Sequence, residues 1–177
     1  MIDAKEYGKA LFLLAQEEGT TDVVAEDLKT VQKLLRENPR YVKLLDTPAL
    51  AKEEKLRLID RAFSSLHETV LNLTKILCEK HSVYQFSRVA DSYAVLCDEA
   101  RGIERVEVLT AVAMTQQQIS ALTARLCRLT GKTVIIKNTV SPEILGGVVL
   151  RYAGKQLDGS LKARLEGFEK SLKEIVL

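Results

Sequence analysis

Two histidines are the whole imidazole stock of this 177-residue chain, so any imidazole-based metal or proton-transfer chemistry has to begin at His67 or His81. Cys78 and His81 stand three apart on one helical stretch, a spacing that can share a metal ion. A zinc site needs three or four ligands, however, and no second pair has matching spacing. His67 lies beside Glu68, and no Ser-His or Cys-His constellation can be proposed around it without inventing tertiary contacts. Gly131-Lys132-Thr133 spells the end of a phosphate-binding loop, but the glycine such a loop needs five positions earlier is Leu126. Its order is also inverted, since it leaves a helix and opens a strand, whereas a phosphate loop aims a helix N-terminus at the anion. The acid pairs Glu17-Glu18 and Glu53-Glu54 read as helix ends and solvated faces. Cys78, Cys97 and Cys127 are too scattered for a disulfide framework and read as small apolar side chains in a reducing compartment. These residues predict no catalytic group, no metal and no cofactor.

The bulk properties narrow the class further. Lys and Arg number 26 against 24 Asp and Glu, a formal charge of +2, which provides no broad basic surface for nucleic acid. The opening Met1-Ile2-Asp3-Ala4-Lys5-Glu6-Tyr7 enters a helical pattern without a signal-peptide or transit signature, predicting a protein that stays where it is made. No run approaches the roughly 20 apolar residues needed to span a bilayer. Membrane association is therefore expected only through partners.

From Lys5 to Arg101 apolar residues recur at three- and four-residue spacing. The first helix carries Tyr7, Leu11 and Leu14 on one stripe and ends at Gly19; the second uses Val24, Leu28, Val31 and Leu35. Asn38-Pro39 and Thr47-Pro48 punctuate a short third helix around Tyr41 to Leu45. A fourth starts near Lys52, with Glu53 and Glu54 favoured by the dipole of its first turn. A fifth spans Glu68 to Lys80, and a sixth runs from Tyr84 to Arg101 before Gly102.

After Gly102 the period changes to two. Val106, Val108, Thr110 and Val112 alternate with other residues, and Thr133 to Val140 is a second β-branched run. Between them, Gln116 to Thr130 is a helix with Ile119, Leu122, Leu126 and Leu129 on one face. Val148 to Tyr152 is a third strand, turning at Ala153-Gly154 toward a short return strand. A last helix runs from Leu161 to the end, capped by Asp158 or Ser160. The expected architecture is α+β: an N-terminal six-helix bundle over residues 1–102, then a mixed β-α-β-β-α domain over 103–177. The second domain has few large apolar residues and is expected to be the less stable half.

Leu11, Phe12, Leu13 and Leu14 point in four directions about 100° apart, more apolar circumference than a small bundle buries. The fifth helix repeats the excess with Val70, Leu71, Leu73, Ile76, Leu77 and Cys78. Side by side, the two would either be central helices buried by the bundle or form a groove for an amphipathic helix of another protein.

The wording of several segments resembles one family. Tyr7-Gly8-Lys9-Ala10-Leu11-Phe12, the break Asp46-Thr47-Pro48-Ala49-Leu50 followed by Lys52-Glu53-Glu54-Lys55, and above all Ile144-Leu145-Gly146-Gly147-Val148-Val149-Leu150-Arg151 with Leu157-Asp158-Gly159-Ser160-Leu161 and Arg164-Leu165 are similar to the delta subunits of bacterial F-type ATP synthases. This is the family of the mitochondrial oligomycin-sensitivity-conferring protein. Departures include Gly8, where alanine is usual, and Tyr152 with Lys155, in a stretch that commonly ends in an acid. The signature also has a purely structural reading, because Gly146-Gly147 suits a bend before a strand and Asp158-Gly159-Ser160 a turn and helix cap.

The resemblance implies a non-catalytic peripheral-stalk subunit, one copy per complex, at the cytoplasmic face of the bacterial membrane and resisting rotor torque during ATP synthesis and ion transport. The bundle would hold the N-terminal helix of an alpha subunit, with Tyr7, Ala10, Leu11, Leu14, Leu73 and Leu77 as groove residues. The second domain, with signature residues Gly146, Gly147, Arg151, Asp158, Ser160 and Arg164, would engage the C-terminal ends of b subunits. On the residues alone, the competing reading is an adaptor whose bundle takes amphipathic helices of unrelated partners.

Overall fold

The computed structural model describes residues 3–152 and 155–159. Ser160, Arg164 and the helix expected from Leu161 lie outside these residues. Among the described residues, seven α-helices and a four-stranded mixed sheet make an α+β fold in two compact units, divided between Cys97 and Asp98.

The first unit contains α1 (Ala4–Glu17), α2 (Thr21–Glu37), α3 (Pro39–Asp46), α4 (Lys52–Ala62), α5 (Glu68–Glu79) and most of α6 (Phe86–Ala100), which a 3₁₀ turn at Val83–Gln85 introduces. Sequence signals set the helix starts. Asp3 caps α1 by accepting from the Lys5 N–H at 2.9 Å, Pro39 opens α3 where its missing N–H costs nothing, and Glu53 and Glu54 occupy the first turn of α4.

Spacing dictates what each helix buries. Val24, Leu28, Val31 and Leu35 of α2 follow one another at four, three and four residues, and all are buried. They meet Leu45, Ile59, Phe63, Val70 and Leu77 in one core. Each such side chain removed from water contributes about 1.5–3 kcal/mol, before the entropy of ordering it. Tyr93 of α6 is among the largest fully buried side chains; its ring meets Phe12 edge-on at 5.9 Å between centroids. Its hydroxyl donates to the Thr21 carbonyl at 3.0 Å, so the polar end of a large apolar residue is satisfied at the start of α2. Beside it α1 and α6 approach closely at Gly8: a Cβ added there would lie 2.7 Å from both Cβ and Oγ of Ser92.

The second unit holds β1 (Ile103–Thr110), α7 (Gln116–Thr130), β2 (Thr133–Val140), β3 (Val148–Tyr152) and β4 (Lys155–Asp158), in sheet order β2-β1-β3-β4. β1 and β2 are parallel, with Ile103 opposite Thr133 and Thr110 opposite Val140, which is why a helix must carry the chain between them. β3 pairs antiparallel with β1, and β4 with β3. Thr115 and Gln118 form a reciprocal capping box at the start of α7. The helix lays Leu122, Leu126 and Cys127 against Val106, Val108 and Val134.

Two details differ from the sequence reading. Leu129, expected on the inward face of α7, is 74% exposed; Cys127 takes the inward place, because the packed arc is centred nearer Leu126. Val112 lies beyond β1, which stops at Thr110 where the Asn138 side chain intervenes. The amide of Asn138 donates to the Val108 carbonyl and the Thr110 hydroxyl, both at 2.9 Å, and its oxygen accepts from the Met114 N–H at 2.9 Å.

Two expected outcomes follow from this packing. Gly8→Ala gains about 1 kcal/mol of helix propensity but forces a methyl into Ser92, which costs about 1–3 kcal/mol. Urea unfolding should therefore find it neutral to destabilised, with Ser92→Gly recovering stability in the Gly8→Ala background beyond additivity. A strictly additive pair would show that the two helices do not press together here. In native-state hydrogen exchange, the β1 amides should be less protected than those of α2 and α5, since the second core rests on three small buried valines. Equal protection would contradict that ranking.

Candidate partner-binding groove

An open groove of about 750 Å³ runs along α1 and α5. Tyr7, Ala10, Leu11 and Leu14 line it from α1; Thr69, Asn72, Leu73 and Ile76 line it from α5. The arrangement follows from α1 being buried on one side only. Gly8, Leu11 and Ala15 face the core, so Ala10 and Leu14, at other angles of the helix, face outward. Leu14 is 43% exposed and Ile76 42%, and because both line this one cleft they form a shared apolar patch rather than scattered surface side chains. Leu11 and Leu73 have their bodies in the core and only a surface in the groove.

Of the six residues assigned to such a groove from sequence, five line it together: Tyr7, Ala10, Leu11, Leu14 and Leu73. Leu77 does not. It is 0% exposed, inside the core, and Ile76, one position earlier and about 100° around the helix, faces the groove instead. Sequence reasoning missed Ile76, although its spacing from Thr69, Asn72 and Leu73 is the helical signal that marks the outward edge.

The residues that might have carried chemistry are held by structural contacts. Asp46 is the centre of one set. Its carboxylate accepts from the backbone N–H groups of Val83 at 2.8 Å and Tyr84 at 3.1 Å, satisfying donors at the entrance to α6. The Asp46 carbonyl lies 3.0 Å from Nδ1 of His81, and the Cys78 thiol donates to the Leu45 carbonyl at 3.5 Å. The buried Lys55 ammonium donates to the Thr47 carbonyl. Burial pushes the Cys78 thiol above its ordinary range, against a smaller opposing pull from Lys55, so it is a poor nucleophile. His67 caps α5 by accepting from the Thr69 N–H at 3.4 Å. Gly131 ends α7 in the left-handed conformation, and Lys132 pairs with Glu104 at 2.9 Å. Among the described residues no group of three or more His, Cys, Asp or Glu could hold a metal ion.

The carboxy-terminal signature residues that are described shape the sheet. Gly147 has φ of 85°, a conformation that disfavours any side chain, and Gly146 precedes it in the bend that opens β3. Arg151 donates to the Gln156 side chain at 3.0 Å, and its guanidinium lies 3.9 Å from Glu107, making a polar row across β1, β3 and β4. Asp158 ends β4 opposite Val149.

Residues 4–172 match the sequence pattern of the family described as ATP synthase delta (OSCP) subunit. The protein named ATP synthase subunit delta in Geobacillus sp. (strain WCH70) is 32% identical over 172 residues, covering 97% of each chain. Its namesake in Carboxydothermus hydrogenoformans is 32% identical over 169 residues, 96% of each chain. That of Clostridioides difficile is 30% identical over 175 residues, covering 98% of this chain and 97% of its own. A chain in the cryo-EM structure of the Toxoplasma gondii mitochondrial ATP synthase hexamer superposes with a TM-score of 0.73 at 20% identity, covering 97% of this chain and 98% of that one. At that identity the match speaks for the fold.

The Asp46 contacts generate a quantitative expectation. Asp46→Ala leaves two N–H groups unanswered, a loss of about 2 kcal/mol in urea unfolding, while Asp46→Asn keeps an acceptor and loses less. Equal stability of wild type and Asp46→Ala would show that water satisfies these donors as well as the carboxylate does.

Proposed function

The chain belongs to the ATP synthase delta (OSCP) subunit family, and on that premise we propose that its α1–α5 groove seats the N-terminal helix of an alpha subunit. It is a non-catalytic component of the peripheral stalk of an F-type ATP synthase. The observation that carries the groove reading is the pairing of Leu14 and Ile76, two large apolar side chains left exposed on facing walls of one cleft. An amphipathic helix with apolar residues at i, i+3, i+4 and i+7 fills such a cleft and covers both.

The physical task accounts for the character of this surface. A stator element has to resist the torque that the rotor applies to the catalytic head without turning over a substrate. Apolar burial suits that task because its strength depends little on salt. In this reading the first unit is a six-helix bundle that grips the head. The second unit engages the C-terminal ends of the b subunits, one copy of the chain serving each complex. The unit's signature residues keep it folded: Gly147 by its conformation and Arg151 by its row of polar contacts. The protein sits at the cytoplasmic face of the bacterial cell membrane and associates with it through the complex. No helix among the described residues is long and apolar enough to cross a bilayer.

The test is calorimetric titration of the full chain with a peptide copying the first two dozen or so residues of the same organism's alpha subunit. One-to-one binding is expected, and Leu14→Asp with Ile76→Asp should weaken it by about 100-fold or more, from lost burial and a desolvated carboxylate. Both positions are exposed, so the variant should unfold at the same urea concentration as wild type; Leu11→Asp would not serve, because Leu11 is in the core. Undiminished binding by the folded double variant would remove the groove from the interface.

A further inference from the structure

The α1–α5 groove is not symmetric along its length. Among the described residues no lysine or arginine lines it, and the two carboxylates that do, Glu18 and Glu68, stand at the end of α1 and the start of α5. These positions share one end of the cleft. α1 passes through Gly19 directly into α2 at Thr21, and the His67 N–H donates to Asp27 of α2 at 2.6 Å, so both helix ends lie against the first two turns of α2. The opposite end, around Tyr7 and Ile76, has no charge in its lining.

The two acids differ in what the fold gains from them. Glu68 is in the first turn of α5, where the helix dipole favours an anion. Glu18 is the C-cap of α1, with Glu17 before it and no basic residue in the last turn. There the dipole is already negative, so these carboxylates oppose the helix they terminate. Neither Glu18 nor Glu68 has an ion-pair partner among the described residues. The Thr20 hydroxyl, in the same stretch of wall, is buried without a hydrogen-bond partner there. A cation carried by the seated helix would answer both carboxylates.

Resting on the proposal that this groove seats a partner helix, we infer that the seated helix is directional: its lysine or arginine side chains lie over Glu18 and Glu68, and its uncharged apolar stripe runs toward Tyr7 and Ile76. The apolar stripe supplies most of the affinity. The charged end fixes orientation and register, because a reversed helix would strand its cation at the apolar end and leave the two carboxylates unanswered.

The test is calorimetry of the full chain against the alpha-subunit N-terminal peptide and against a version with every Lys and Arg replaced by Gln. Each peptide is titrated into wild type and into the Glu18→Gln, Glu68→Gln variant, at about 20 mM and about 500 mM salt. Wild type should bind the native peptide roughly three- to tenfold more tightly at low salt than the Gln variant does, and the difference should vanish at high salt or with the charge-free peptide. The Glu18→Gln change should also raise Tm of the unbound chain by about 1–3 °C, since it removes an anion from the negative end of α1. Equal affinity of wild type and variant for the native peptide, with equal salt dependence, would overturn the directional inference while leaving the groove reading intact. No binding of either peptide to wild type would overturn the groove reading and this inference with it.

Discussion

The close approach of α1 to α6 is the constraint on which the rest of the first unit depends. At Gly8 the two helices come nearer than a methyl group allows, and beside that contact Tyr93 closes the core with its hydroxyl on Thr21. Pinning this side of α1 decides which of its many apolar residues point inward. Leu11 and Ala15 turn to the core, and Ala10 and Leu14 are left on the side facing α5. The groove thus arises from a rotation of α1 about its own axis, set by one missing side chain on its opposite face. Glycine at this position trades helix propensity for proximity.

Local pattern made the elements legible, and it did so most clearly where a single stripe was apolar, as in Val24, Leu28, Val31 and Leu35. It failed where two neighbouring positions were equally apolar. Ile76 and Leu77 differ by about 100° on α5, and composition offers no way to choose between them. Tertiary packing decided it: Cys78 bonds to Leu45 and Leu77 follows it inward, so Ile76 is the one left at the surface. On α7 the inward place goes to half-buried Cys127, while Leu129, two positions on, is left exposed.

Long-range polar contacts were illegible for a different reason. Asp46-Thr47-Pro48 reads as punctuation, a stop between helices, yet the Asp46 carboxylate caps a turn 37 residues away. The same short loop receives the ammonium of Lys55 and lies against the ring of His81. Asp46-Thr47-Pro48 is thereby explained as the knot that ties α3, α4, α5 and the entrance to α6. Cys78 and His81, considered as metal ligands by spacing, are two of its strands. The absence of a catalytic constellation in the sequence and the use of these groups as internal fastenings are two views of one economy in the fold.

The parallel pairing of β1 with β2 has a consequence for the order in which the chain acquires structure. Every helix of the first unit contacts neighbours that have already been made by the time Ala100 is synthesised. In the second unit, Ile103 has no sheet partner until Thr133 exists, and β1 lacks its other neighbour until Val148 to Tyr152 has been added. Non-local strand pairing of this kind waits on loop closure, whereas local helix contacts do not. During synthesis from the amino terminus, the groove-bearing unit is therefore complete while the sheet is still a set of unpaired edges. A groove that is complete before the remainder of its own chain has folded can be occupied before the second unit acquires its sheet.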